Sequence, residues 1–262
     1  GELVSAGRLS LDAGKGVDPA ELKGLADDRS ELRTATNEGV TLADEVRGLG
    51  ALAASVVAFG DIDGRSIAVE GFDAAGVALA RQAVRHGARI VAIATPAGAV
   101  HDPDGFGADR LAEAWTEHGA GLVKQLDVES VPAWQILGAD VDLLFAGSKT
   151  GVVTHESGLS SELKGLVPIG PVPYTTEALA THERAGVTVL PDFVTTGGTV
   201  HAWYPSEGVS VDEVRTAAIE AVANRTKEIM GADDPPVLAA CQMAEAYLAT
   251  WRDELPFGRP MA

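Results

Sequence analysis

The chain has 262 residues, which is enough for one large α/β domain with a substantial buried core. Its formal net charge of -18, from 38 acidic and 20 basic residues, argues against a nucleic-acid partner because phosphate neutralisation needs clustered Lys and Arg. No apolar run reaches the ~18 residues of a membrane span, and the single cysteine, Cys241, cannot form an internal disulfide. We therefore expect a cytoplasmic protein with neither a nucleic acid nor a membrane as partner.

The hydrophobic pattern divides the chain into three parts. Residues 1–38 are rich in Gly, Asp and Lys and form a weakly organised entry segment. Residues 39–205 begin with a predicted helix at 41–59 and continue with short apolar runs that alternate with helical stretches. Residues 206–262 have a helical pattern throughout. The predicted strands are 66–71, 89–95, 121–127, 141–147, 165–170 and 187–193, and the other predicted helices are 75–86, 107–118, 129–137, 157–163, 175–185, 210–230 and 235–253.

Near-continuously apolar strands separated by helices are typical of a parallel sheet that is covered on both faces. The predicted fold class is therefore α/β: a doubly wound, Rossmann-like parallel sheet with helices on both faces and a helical C-terminal extension. Right-handed crossovers place the strand that begins near Ser66 at the centre, between those that begin near Arg89 and Val141. The last helices should pack back on this domain through one apolar face. That face comprises Met243, Ala246, Tyr247 and Trp251.

The most informative local feature is the strand SIAVEG followed by the turn GFDAAG at residues 71–76. In a dinucleotide-binding βαβ unit, three glycines make the tight turn, admit the diphosphate and let the helix pack closely. Gly71 and Gly76 fill the first and third positions, but Asp73 replaces the second. An ionised carboxylate ~4 Å from a phosphate costs ~4 kcal/mol at an effective dielectric of ~20. The turn predicts either a weakened dinucleotide site or a strand-to-helix turn with no ligand. The candidate cofactor contacts here are Gly71, Phe72, Asp73, Ala74 and Gly76.

The second predicted strand ends at Thr95, where an NAD site usually carries Asp or Glu. A hydroxyl can make one ribose contact, so Thr95 is a further candidate that gives no strong choice between NAD and NADP. The stretch HDPDG at 101–105 lacks the spacing of a calcium loop and reads as a surface turn. No two histidines are spaced i,i+4, which gives zinc catalysis little support.

Four stretches carry a more specific pattern: ATNEGV (35–40), GFDAAG with GARIVAIATPAGAVHDPDGF (87–106), VDLLFAGSKTGVVT (141–154) and PVPYTTEALATHERAGVTVLPDFVTTGGTV (171–200). Together they resemble the cofactor domain of the glutamate/leucine/phenylalanine/valine dehydrogenase family over about residues 33–255. A shorter stretch, DAGKGVDPAEL (12–22), is similar to the glycine-rich segment around the catalytic lysine of that family. The resemblance implies that residues 1–38 are the remnant of a substrate domain.

The resemblance also implies functional residues. It gives Lys15 the place of the catalytic lysine and puts Thr36 near the nicotinamide. Three Asn residues of the family are replaced in this chain. Gly151 replaces an Asn under the ribose, Pro171 replaces an Asn at the nicotinamide, and Thr196 replaces a third Asn. The implied cofactor contacts from these stretches are Thr36, Ala146, Gly147, Gly170 and Thr196.

Two hypotheses remain open at the level of sequence. In the first, the protein is an oxidoreductase that deaminates an L-amino acid to a 2-oxo acid with NAD or NADP, and we expect it to form a homo-oligomer. In the second, it is a non-catalytic homologue that keeps the Rossmann scaffold as a binding or assembly module. The first predicts an open cofactor cleft beside Gly71, and the second predicts a cleft that is occluded or negatively charged.

Overall fold

The computed structural model describes residues 36–37, 39–206 and 208–250. The strands are β1 Thr36–Asn37, β2 Val40–Thr41, β3 Ser66–Glu70, β4 Arg89–Thr95, β5 Gly98–Phe106, β6 Leu143–Ala146, β7 Gly165–Pro168 and β8 Thr188–Val189. The helices are α1 Leu42–Phe59, α2 Ala74–Arg85, α3 Ala108–His118, α4 Thr176–Arg184, α5 Asp192–Thr195, α6 Thr199–Trp203, α7 Val211–Met230 and α8 Pro236–Leu248. Two 3₁₀ helices span Gly119–Lys124 and Ala133–Gly138.

The main sheet has six strands in the order β5-β4-β3-β6-β7-β8, and every pairing except β4 with β5 is parallel. The predicted central strand is confirmed, because Ile67 of β3 pairs with Ile90 of β4 on one side and with Leu143 of β6 on the other. The strand order reverses direction between β3 and β6. In an open α/β sheet, this switch point, at the carboxyl ends of the strands, is where ligands bind.

Both faces of the sheet are covered, as the sequence predicts. Along β3, Ile67 and Val69 belong to an apolar cluster that contains residues of α1, α2 and α7. Ala68 points to the opposite face, where the cluster contains residues of the 3₁₀ helix 133–138 and of α4. This alternation follows from the period-two geometry of a strand. The doubly wound fold class is confirmed.

The predicted surface turn at 101–105 is wrong, because these residues belong to the antiparallel edge strand β5. Gly98 has φ 146°, which allows the chain to reverse immediately after β4. Pro103 has no N–H to donate, and an edge strand tolerates this loss because one side of the strand is unpaired.

Four other predicted elements differ from the structure. The strand predicted at 121–127 is a 3₁₀ helix, and the helix predicted at 129–137 is reduced to the short 3₁₀ turn at 133–138. Residues 157–163 form turns instead of a helix, because the hydroxyls of Ser157 and Ser160 accept hydrogen bonds from the backbone N–H groups of Thr154 and Glu162. The strand predicted at 187–193 stops at Val189, before Pro191 caps α5.

The C-terminal helices pack on the domain, but through a narrower face than predicted. Helix α7 lies against α1 and begins with a capping box between Ser210 and Glu213. Helix α8 buries Val237, Ala239 and Ala240. Tyr247 is 69% exposed and Ala246 is also exposed, so the predicted inward face is wrong at both residues, and Trp251 lies outside the described residues. Within the part of the chain that is described, no helix combines the length and apolar character that crossing a membrane requires.

Candidate functional site

The glycine turn joins β3 to α2 at the switch point of the sheet. Gly71 has φ 81°, and a Cβ added there would lie 2.5 Å from the backbone nitrogen of Ser148. The N–H groups of Gly71 and Phe72 both donate to the carbonyl of Ala94, at 3.1 and 2.7 Å, and so fix the turn against β4. Gly76 lets the helix pack on the turn, because a Cβ there would lie 2.9 Å from the Phe72 ring. Only glycine satisfies both positions without strain or overlap.

Asp73 is the N-cap of α2. Its Oδ1 accepts hydrogen bonds from the N–H groups of Ala75, at 2.9 Å, and Gly76, at 3.2 Å. These are the amides that a helix N-terminus offers to an anion, so the carboxylate takes the position in which a diphosphate would bind. The sequence correctly placed Asp73 at this point, but the repulsion of ~4 kcal/mol assumed a carboxylate without a counter-ion.

Arg47 supplies that counter-ion. Its guanidinium reaches from α1 to the Oδ2 of Asp73 at 2.6 Å and to Asp44 at 3.0 Å, and it also donates to the carbonyl of Ile169 at 3.4 Å. Burial disfavours the charged guanidinium, but the two carboxylates outweigh burial and raise the pKa of Arg47 above its ordinary value. Sequence reasoning missed Arg47. Its signal was a lone basic residue on an otherwise apolar and acidic helix.

A second carboxylate closes the switch point. Glu70, the last residue of β3, is only 6% exposed, and its Oε2 accepts hydrogen bonds from the N–H groups of Gly147, at 3.1 Å, and Ser148, at 3.0 Å. The loop after β6 is therefore tied to the end of β3. Sequence reasoning also missed this residue, although a Glu at the end of an apolar central strand is a recognisable signal.

The loops after β6 and β7 are in direct backbone contact. A Cβ added to Gly147 would lie 2.4 Å from the nitrogen of Gly170, and one added to Gly170 would lie 2.3 Å from the carbonyl oxygen of Gly147. The structure thus brings the predicted residues of the glycine turn together with Ala146, Gly147 and Gly170 at one edge of the sheet. The edge is narrow, because backbone and carboxylate atoms already occupy the space between the loops.

The predicted threonine contacts have internal partners or lie elsewhere. Thr95 is only 3% exposed. Its hydroxyl donates to the carbonyl of Ala120 at 2.6 Å and accepts from the N–H of Ala97 at 3.1 Å. The Thr196 hydroxyl donates to the carbonyl of Asp192 at 2.7 Å. Neither hydroxyl is directed at a ligand in this arrangement.

Thr36 is not brought to the glycine turn. Thr36 is exposed in the β1–β2 hairpin. Its neighbour Asn37 lines a small depression with Ala78, Arg81 and Arg85, beside the middle and the end of α2 and not beside its N-terminus. Lys15 lies outside the described residues. Among the residues that are described, no group of His, Cys, Asp or Glu could hold a metal ion.

The sheet order, the switch point and the glycine turn define a Rossmann-like domain of the dinucleotide-binding type. The family model for glutamate/leucine/phenylalanine/valine dehydrogenase matches residues 32–251, and the chain belongs to this family. The resemblance inferred from the sequence is confirmed.

Curated relatives give the same family. The chain is 28% identical to the NADP-specific glutamate dehydrogenase A1 of Halobacterium salinarum over 144 residues, which are 55% of this chain and 34% of that protein. It is also 28% identical to the NAD-specific glutamate dehydrogenase of Staphylococcus aureus strain COL over 143 residues, with the same coverage of 55% and 34%. The alignments thus span about a third of these relatives. Nicotinamide cofactors of both kinds occur in the family.

Solved structures share the fold. The hetero-hexameric glutamate dehydrogenase of Thermus thermophilus in its Leu-bound form has a TM-score of 0.63 at 24% identity, covering 78% of this chain and 52% of that one. The L-tryptophan dehydrogenase of Nostoc punctiforme has a TM-score of 0.59 at 16% identity, covering 79% of this chain and 61% of that one. The chain matches little more than half of each solved protein.

Proposed function

We propose that this chain is the dinucleotide-binding domain of an NAD(P)-dependent amino-acid dehydrogenase. In this reaction an L-amino acid, NAD(P)⁺ and water give a 2-oxo acid, ammonium, NAD(P)H and one proton, and two electrons leave the substrate Cα as a hydride. The observation that carries the proposal is the Gly71–Gly76 turn, which directs the N-terminus of α2 to the switch point in a member of this family.

A diphosphate fits this turn on one condition. Asp73 must first move away, because its carboxylate binds the Ala75 and Gly76 amides that the diphosphate needs. The same carboxylate is paired with Arg47, whose positive charge is complementary to the diphosphate. Binding is therefore an exchange of one anion for another, in which Asp73 leaves and Arg47 remains as the cation. Loss of the cap costs ~1 kcal/mol, and the displaced carboxylate still repels the diphosphate, so binding is weakened by at least ~10-fold but is not prevented.

The remaining roles follow the family resemblance. Lys15 is the proposed general acid/base for the substrate amine, and residues 1–38 are the proposed remnant of the substrate domain. The amino acid or the 2-oxo acid is the small-molecule partner, and a homo-oligomer is the proposed assembly. A bound nicotinamide would supply the hydride acceptor, and Gly147 and Gly170 would line its approach.

Cofactor choice should be weak. The family uses both NAD and NADP. At the end of β4, the Thr95 hydroxyl is engaged by Ala97 and Ala120, and there is no carboxylate at this position to select the free ribose hydroxyls of NAD. We therefore propose that either dinucleotide binds, with little difference in affinity.

A second function is favoured by the closed switch point. The carboxylates of Glu70 and Asp73 and the Gly147–Gly170 contact fill the edge where a dinucleotide would lie. With Pro171 and Thr196 in place of orienting amides, the same observations describe a non-catalytic homologue whose Rossmann scaffold serves binding or assembly.

Two measurements separate these functions. The first is a titration with NADH, followed by nicotinamide fluorescence, of the wild type and of Asp73→Gly. The second is turnover of glutamate, leucine, phenylalanine and valine with NAD and NADP. NADH binding to either protein supports the dinucleotide-binding domain, and turnover of any of the four amino acids, even if slow, supports the dehydrogenase. Binding to neither protein contradicts it and supports the non-catalytic function, because removal of Asp73 would then fail to open a site.

A further inference from the structure

The loop that follows β6, residues 147–151 with the sequence GSKTG, carries three polar side chains at the carboxyl edge of the sheet. Ser148, Lys149 and Thr150 are all exposed. Within the described part of the chain, none of these side chains has a hydrogen-bonding or ionic partner. Two hydroxyls and one ammonium group are therefore available there, and each can donate a hydrogen bond to a phosphate oxygen.

This loop lies directly against the glycine turn. A Cβ added to Gly71 would lie 2.7 Å from the Cα of Ser148. Consecutive Cα atoms are ~3.8 Å apart, so the backbone of Lys149 lies within ~7 Å of the same point. In an open α/β sheet, a dinucleotide lies across the crevice at the switch point, between the loops that follow the two strands. Lys149 is therefore on the wall of the crevice opposite α2, and its flexible four-carbon side chain can reach a diphosphate bound there.

The loop is anchored at both ends. At its start, the N–H groups of Gly147 and Ser148 donate to the carboxylate of Glu70 at 3.1 and 3.0 Å. At its end, the N–H of Gly151 donates to the carbonyl of Val172 at 2.8 Å. These bonds hold the backbone in place while the middle of the loop faces solvent. A cation on such a fixed loop loses little backbone freedom when it binds a ligand.

The charge balance at the switch point favours a second cation. Asp44, Glu70 and Asp73 bring three carboxyl groups to this edge. Arg47 brings one guanidinium, which is already paired with Asp44 and Asp73. Displacement of Asp73 moves its negative charge without removing it, and a diphosphate adds more. A further cation close to the diphosphate therefore lowers the free energy of binding. In the two loops that form the crevice, Lys149 is the basic residue.

We propose that Lys149 binds the diphosphate of the dinucleotide from the wall opposite Arg47, with the hydroxyls of Ser148 and Thr150 as further donors. This inference rests on the proposed function, since it assigns a binding residue to the same crevice. It accounts for how a turn that carries Asp73 can still accept an anion. Two cations, one on each side of the diphosphate, offset the carboxylates that the chain places at this edge.

The test is a calorimetric titration of the full chain with NADH, ADP and adenosine, in the wild type and in the Asp73→Gly background. We expect Lys149→Ala to weaken the binding of NADH and ADP about 10-fold, because a hydrogen bond to a charged group is lost. Adenosine has no phosphate, so its affinity should not change. Lys149→Arg keeps the charge and should stay within ~3-fold of the parent protein. The loss in Lys149→Ala should shrink at high salt.

The matched control is Lys227→Ala, which removes the same charge from an exposed lysine in the last turn of α7, outside both loops. It should leave the affinity for all three ligands unchanged. Equal losses in Lys149→Ala and Lys227→Ala, or a parallel loss of adenosine binding in Lys149→Ala, would overturn the role of Lys149. Unchanged NADH binding in Lys149→Ala would overturn this role alone and leave the proposed function standing. If NADH binds to none of the proteins, including Asp73→Gly, both proposals are wrong.

Discussion

The two ends of the β3–β6 strand pair are closed by the same device. At the amino end, Asp142 accepts hydrogen bonds from the N–H and hydroxyl of Ser66, both at 2.9 Å, and from Lys164 at 2.6 Å. At the carboxyl end, Glu70 accepts from Gly147 and Ser148. A carboxylate clamp is expected at the amino end, which has only to hold the sheet together. At the carboxyl end it occupies the edge where this fold binds ligands, so stability and ligand access compete there.

The largest expected effect is on turnover, which depends on the carboxyl end of the β3–β6 pair and not on its amino end. We expect weak or no turnover of glutamate, leucine, phenylalanine or valine, because Pro171 and Thr196 cannot orient a nicotinamide as amides do, and each lost contact costs ~10²-fold when geometry slips by ~1 Å. Steady-state NADH production measures this. A turnover number near ~10 s⁻¹ would show that the closed edge opens readily, and Lys15 would then be the first residue to mutate.

The next effect separates backbone strain from crowding at the carboxyl end. Gly71→Ala should lower the free energy of unfolding by about 2–4 kcal/mol, because it adds strain at φ 81° and a Cβ 2.5 Å from Ser148. The matched control is Gly60→Ala, which has φ 75° but no atom within 4 Å of the added Cβ. It should lose only ~1 kcal/mol. Urea unfolding measures both, and equal losses would mean that the Ser148 loop moves away freely.

Asp73→Gly should raise NADH affinity at least ~10-fold, or ~1.4 kcal/mol, because it frees two helix amides and the Arg47 guanidinium. Replacing the cap by Gly costs only a few tenths of a kcal/mol, so the variant should fold. Asp73→Asn is the control, since it retains the capping oxygen and removes the charge, and it should gain less. The gain should shrink at high salt. If the wild type binds NADH at micromolar levels and neither variant changes the affinity, the proposed replacement of Asp73 by the diphosphate is wrong.

The smallest expected effect is at the amino end. Burial opposes ionisation of Asp142, but hydrogen bonds from Lys164 and Ser66 outweigh it and lower the pKa to about 2 from a model-peptide value of 3.8. The folded-state pKa is depressed, so this stabilisation is present above pH ~4 and is lost as the pH falls through about 2. Asp142→Asn should cost about 1–2 kcal/mol at pH 7 and less than ~0.5 kcal/mol at pH 2. Urea unfolding at both pH values should show this convergence, and a constant difference would assign the loss to packing.

The parallel core was predictable because its signals are local and redundant. The runs around Ile67, Ile90 and Leu143 are apolar on both faces, and helices of correct period separate them. The elements that failed depend on tertiary context. The segment containing Leu122 and Val123 has the apolar residues of a strand but buries them from a 3₁₀ helix, and β5 is strand only because β4 provides its partner.

For the candidate site, the sequence identified the positions but not the pairings. The motif GFDAAG placed Asp73 at the start of α2, yet its counter-ion is 26 residues away along the chain, in α1. Glu70 likewise bonds to amides 77 and 78 residues further on. Such long-range contacts leave no period in the sequence, and a residue such as Thr95 looks available for a ligand until its two internal partners are seen.

The edge strand β5 limits how copies of this protein can associate. Its outer side carries Pro103, which has no N–H, between the charged residues Asp102 and Asp104, while the opposite edge strand β8 has only two residues. Neither edge offers the row of free backbone donors that another strand needs for pairing. Among the described residues, pairing of two molecules along either edge of this six-stranded sheet is therefore disfavoured. The same features protect the most apolar layer of the molecule from templating aggregation.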